Sequence, residues 1–129
     1  MRLLFVAPTI TEPSYAALVA DWKAVQARGY GSVSDVASTT VDGRPATTMT
    51  VTFTKTAYGL DYCDAITGIA DDPNGCGHPF AGRTYHLAIV DEGSTVPPTV
   101  LWEASVTNDT ASPSVAQEFA TWLATVRFD

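Results

Sequence analysis

The repeat of apolar and polar residues changes several times along the chain, and each change marks an element. Arg2 to Ala7 opens with an unbroken apolar run, Leu3, Leu4, Phe5 and Val6, stopped by Pro8. A short run of that kind predicts a strand buried on both faces. Thr11, Glu12 and Pro13 supply a capping hydroxyl, an acidic first turn and a proline whose missing N–H costs little there, so a helix is predicted to start at this point. Tyr15, Leu18, Val19, Trp22 and Val25 then recur at helical spacing until Arg28 and Gly29 end the element.

Val33 to Val41 predicts a strand, Val41-Asp42-Gly43-Arg44 a tight Asp-Gly turn, and Ala46 to Thr54 the returning strand of a hairpin. In the return, Met49, Val51 and Phe53 alternate with Thr48, Thr50, Thr52 and Thr54. One side therefore meets a core, and the other meets water or a second layer. From Thr56 to Gly82 the alternation gives way to Gly, Pro and Asp, which predicts a long loop pinned by its two cysteines. Alternation returns in Arg83 to Asp91, where Tyr85, Leu87 and Ile89 oppose His86, Ala88 and Val90. Glu92 to Ser94 turns the chain, and beyond Pro97-Pro98 a further strand, Thr99 to Val106, is centred on Trp102.

Ser112-Pro113 opens a second helix whose buried stripe is Val115, Phe119, Trp122, Leu123 and Val126. It should end near Thr125, with Val126 to Phe128 extended. Strands grouped between two helices predict an α+β fold: an antiparallel β-sheet of about five strands with two flanking amphipathic helices. Residues 1–129 read as a single domain, for 46% hydrophobic residues are ample for one core and no linker or repeat interrupts them.

Charge narrows the classes of partner. Seven basic groups stand against fourteen acidic ones, a formal charge of −7. The basic residues Arg2, Lys23, Arg28, Arg44, Lys55, Arg83 and Arg127 are scattered. Nucleic acid and anionic membrane surfaces both require clustered cations, so neither is an expected partner; an unknown protein or small-molecule ligand is. No stretch approaches the ~20 apolar residues of a transmembrane segment. The opening MRLLFVAP is shorter in its apolar run than the ~7 to 15 residues of a signal-peptide core. That leaves a cytoplasmic protein, or one whose export segment has been removed.

The two cysteines, Cys63 and Cys76, bear on this choice. A disulfide between them would close a polar loop of about 13 residues and stabilise the fold by roughly 3 kcal/mol through chain entropy. Such a bond implies an oxidising compartment. Zinc held with His78 and His86 is a rival, although the paired spacings of structural zinc sites are missing, and two free thiols are another. Asp61, Asp64, Asp71, Asp72 and Asn74 raise calcium as a further ligand. Aligned to an EF-hand loop, however, the segment puts Ala70 and Ala81 at the first and last ligand positions, and Asp-Pro-Asn-Gly suits a solvated turn.

Catalytic signatures do not emerge. The chain has two histidines and no GxSxG elbow, and Gly75 and Gly77 lack the lysine and the strand-to-helix setting of a phosphate loop. No catalytic residue, metal ligand or cofactor is assigned on these grounds. His86, in mid-strand, reads as structural, whereas His78, between Gly77 and Pro79, is better placed to reach solvent. Tyr58, Tyr62 and Tyr85 can line a groove beside Arg83. The candidate ligand surface is therefore Tyr58, Tyr62, His78 and Arg83. The alternatives to a binding role are a small hydrolase using His78 with Asp64 or Asp72, and a calcium-stabilised module.

Val41 to Ala46 (VDGRPA), Tyr85 to Asp91 (YHLAIVD) and Ala124 to Phe128 (ATVRF) together resemble small extracytoplasmic domains common in actinobacteria. In those domains a strand carrying a similar turn precedes a cysteine-bearing loop, and the last helix runs into a short closing strand. With the early helix, the layout also resembles the PsbP-like α/β/α sandwich of bacterial lipoproteins and photosystem accessory proteins. The likeness spans about residues 2 to 128, but this chain begins directly at a strand, without the leader and first strands usual there. It implies a secreted or lipid-anchored accessory domain, binding or structural, with no catalytic residues to carry over.

Overall fold

A computed structural model of the chain describes residues 2–8, 14–57, 62–64, 76–77, 79–93, 98–106 and 112–128. In chain order the elements are β1 (Arg2–Pro8), α1 (Tyr15–Lys23), β2 (Gly31–Val41), β3 (Arg44–Phe53), β4 (Tyr62–Asp64), β5 (Cys76–Gly77), β6 (Arg83–Val90), β7 (Thr99–Val106) and α2 (Ser112–Leu123). The fold is α+β, as the pattern predicts.

All strands join one antiparallel sheet in the order β2-β3-β6-β7-β1-β4-β5. Its centre is the four-stranded run β2-β3-β6-β7. The expected count of about five strands is corrected to seven among the described residues, because the segment read as one long loop contains β4 and β5. Those strands have three and two residues, too few to show an alternating pattern.

The first helix starts later than the Thr11-Glu12-Pro13 signal, which lies outside the described residues. Ser14 is the cap: its backbone is extended, and its hydroxyl accepts from the Ala17 N–H at 3.1 Å. The helix ends at Lys23 and continues as turns, with Gly29 at a φ of 78° reversing the chain. Gly31 then begins β2, where a Cβ would sit 1.9 Å from the carbonyl oxygen of Thr52, so only glycine fits. The β2–β3 turn has positive φ at both central residues, 49° at Asp42 and 78° at Gly43, the combination that matches the twist of paired strands.

Each helix covers one face of the sheet. Leu18, Trp22 and Val25 pack on Met49, Val51, Phe53, Tyr85, Leu87 and Ile89. Phe119 of α2 packs on Val41, Ala46, Ala88, Val90 and Leu101 on the opposite face. Residues 126–128 are irregular rather than a strand. They are held to the hairpin turn by the Phe128 N–H, which donates to Asp42 Oδ2 at 2.8 Å, and by the Arg44 guanidinium, 4.2 Å over the Phe128 ring.

Candidate functional site

The α2 face is apolar only at one end. Registering the strands gives successive rows across β3, β6 and β7: Ala46–Val90–Thr99, Thr48–Ala88–Leu101, Thr50–His86–Glu103 and Thr52–Thr84–Ser105. The first two rows lie with the α2 core and the last two are wholly polar. Because side chains alternate along a strand, a run of threonines on β3 faces the histidine of β6 and the one carboxylate of β7.

Within this polar end the hydrogen bonding is incomplete. Thr50 Oγ1 lies 3.2 Å from His86 Nδ1, and the Thr52 and Thr84 hydroxyls meet at 3.0 Å. His86 Nε2, both Glu103 carboxylate oxygens and Ser105 Oγ are buried without a hydrogen-bond partner. Glu103 has no exposed surface and His86 only 6%. Burial holds the His86 imidazole below its ordinary value, with the Asp35 carboxylate opposing that shift. Burial also pushes the Glu103 carboxyl above its ordinary value, reinforced by the Glu118 carboxylate of α2. Both side chains are thus driven toward their neutral forms.

Asp35 reaches this site through a break in the hairpin. The β2–β3 register shifts between Ser34 and Ala37, and Asp35 adopts a φ of 54°. That left-handed conformation is one that aspartate, with its short polar side chain, adopts more readily than most residues. The extra residue of a bulge also re-aims its neighbours. Here it brings Asp35 to the wall of a cavity of about 290 Å³, together with Thr48, Thr50, His86, Phe119 and Leu123. The Phe119 ring lies 6.4 Å from the imidazole and 6.0 Å from Trp122. One wall is therefore polar and the other is the apolar stripe of α2.

Chemically, the arrangement offers a neutral imidazole fixed at Nδ1 and without a partner at its buried Nε2, a carboxylate at the cavity wall and an apolar shelf. Ser105 Oγ and His86 Nε2 both lack partners, so no nucleophile–base hydrogen bond joins them. Among the described residues, no three His, Cys, Asp or Glu side chains are gathered to hold a metal ion. No helix among them is long and apolar enough to cross a membrane.

The residues singled out in the sequence lie elsewhere. Arg83 is exposed at the start of β6, opposite Phe53 and Val106. Tyr62 belongs to β4, and β7 and β1 run between that strand and β6. Tyr58 and His78 lie outside the described residues, as do Asp61, Asp71, Asp72 and Asn74 of the calcium reading. The backbone register sets Cys63 directly opposite Cys76. Sequence reasoning missed Asp35, Thr50 and Glu103, and took His86 as structural. The available signal was parity: His86 shares its strand face with Ala88 and Val90, an inward position where a titratable side chain needs a reason.

Comparison of the chain with protein-family models, with curated proteins and with solved structures finds no match in any of the three.

Proposed function

We propose that the chain is a non-enzymatic, extracytoplasmic binding or accessory domain, of the kind its resemblance to actinobacterial secreted and lipoprotein-type domains implies, and that it binds a small ligand in the cavity beside His86. One observation carries the reading: a buried imidazole with Nε2 unpartnered at the wall of a cavity whose opposite side is apolar. Orphaned buried polar atoms are rare and costly, and a ligand that supplies the missing hydrogen bond accounts for this one. Helices on both sheet faces support the PsbP-like layout.

The extracytoplasmic part rests on a disulfide between Cys63 and Cys76, which the cross-strand register supports, because directly opposed strand residues approach within disulfide reach. Intact mass under denaturing conditions should rise by about 2 Da on reduction. Two free thiols in the native protein would remove the compartment argument. For the site, titration of small-molecule fragments followed at the His86 ring nitrogens should give saturable shifts for some fragments. A ring that responds to none of them would contradict binding there.

A further inference from the structure

We propose that the cavity takes a small organic cation, a primary ammonium on a short apolar body, whose charged head sits between the Asp35 carboxylate and His86 Nε2 while its body lies on Phe119 and Leu123. The inference rests on the reading of the chain as a binding domain and adds the class of ligand. Charge comes first. Among the described residues lining the cavity, Asp35 is the one charged side chain, and no lysine or arginine stands with it. The α2 helix also carries the Glu118 carboxylate, and the whole chain carries −7. Such a field concentrates cations and repels carboxylates and phosphates.

The donor set then separates an organic cation from a metal ion. One carboxylate and one imidazole fall short of the four to eight ligands that zinc or calcium takes, and half of the wall is apolar. An ammonium has N–H donors for both Asp35 and the unpartnered Nε2, and its carbon chain gains by leaving water against Phe119. The volume, about 290 Å³, lies at the small end of ligand sites, which limits the body to a few carbons.

Three probes of equal length separate the outcomes: n-pentylammonium, n-pentanol and n-pentanoate, each titrated into the full chain and followed at His86 and Phe119 resonances. The ammonium should bind about tenfold more tightly than the alcohol, the worth of one charge-assisted hydrogen bond. That preference should vanish in Asp35→Asn and in Asp35→Gly; the glycine variant keeps the bulge without strain, and unchanged melting shows that both variants fold. Alcohol or pentanoate binding as tightly as the ammonium at the same resonances would overturn the cationic class while leaving a binding site in place. If none of the three probes shifts His86 but a fragment of another class does, the cation inference falls and the binding reading stands. No response to any probe or fragment defeats both.

Discussion

The two faces of the sheet are built from alternate residues of the same strands, yet they obey different rules. On the α1 face Trp22, Phe53, Tyr85 and Trp102 form a chain of ring contacts, with Trp22–Phe53 at 5.9 Å and Phe53–Tyr85 at 5.5 Å, both edge-on. Apolar neighbours close around them, and the Tyr15 hydroxyl finds the Thr47 hydroxyl. On the α2 face the sheet changes halfway from Ala88, Val90 and Leu101 to His86, Glu103 and Ser105, and the polar half leaves four buried atoms unpaired. Each such atom costs on the order of 1–3 kcal/mol. One face stabilises the fold; the other retains groups that a fold selected for stability alone would replace.

The largest expected effect comes from cutting into the first face. Phe53→Ala should lower the unfolding free energy by about 3–5 kcal/mol, read as a shift in denaturant midpoint at constant slope. Phe119→Ala should fall at or below the lower end of that range, because its ring already borders open space. Equal losses would mean that the two faces are packed alike.

Next in size is a gain. Glu103→Leu replaces a fully buried, unpartnered carboxyl with an apolar group of similar volume and should stabilise the protein at pH 7 by about 1–3 kcal/mol. Destabilisation would show that Glu103 has a partner in solution.

The smallest effect is a slope. Below its ordinary value of 6.5 the unfolded chain protonates its histidine while the folded chain keeps His86 neutral. His86 therefore makes stability fall as pH drops through 6.5 toward its lower folded value. Glu103 acts with the opposite sign: its folded value is raised above 4.5, so stability falls as pH rises from 4.5 toward that value. His86→Phe should abolish the loss below 6.5 and leave the Glu103 slope. The lost Thr50 contact costs about 1 kcal/mol at all pH values. An unchanged profile in the variant would assign the acid-side loss to other groups.

Much of the fold was legible in residue patterns. The alternation in Arg83 to Val90 and in Thr99 to Val106 predicts both strands nearly to the residue, and the Asp42-Gly43 turn predicts the hairpin. The threonine alternation on β3 correctly separates the two faces, with Thr48, Thr50 and Thr52 half-buried and Thr54 exposed. The site was not legible, for a physical reason. Asp35 reaches His86 only because a bulge shifts the register of β2, and no local motif announces that shift. Glu103 faces His86 only through the β6–β7 register, a pairing of residues 17 positions apart in sequence. His78 and the acidic loop drew attention because polar residues cluster there, whereas the buried polar rows are spread over three strands. Strand parity was the one clue, and it was read for the apolar positions alone.

The central claim, that His86 is buried and unpartnered at a ligand-ready wall, is tested most directly by following its ring resonances through a pH titration of the free protein. The account predicts a midpoint below 6.5, with Nε2 left without a protein partner on the neutral side. A midpoint at or above 6.5 would mean that the ring is solvated or stabilised as an imidazolium by Asp35 or Glu103, and would contradict the site as described.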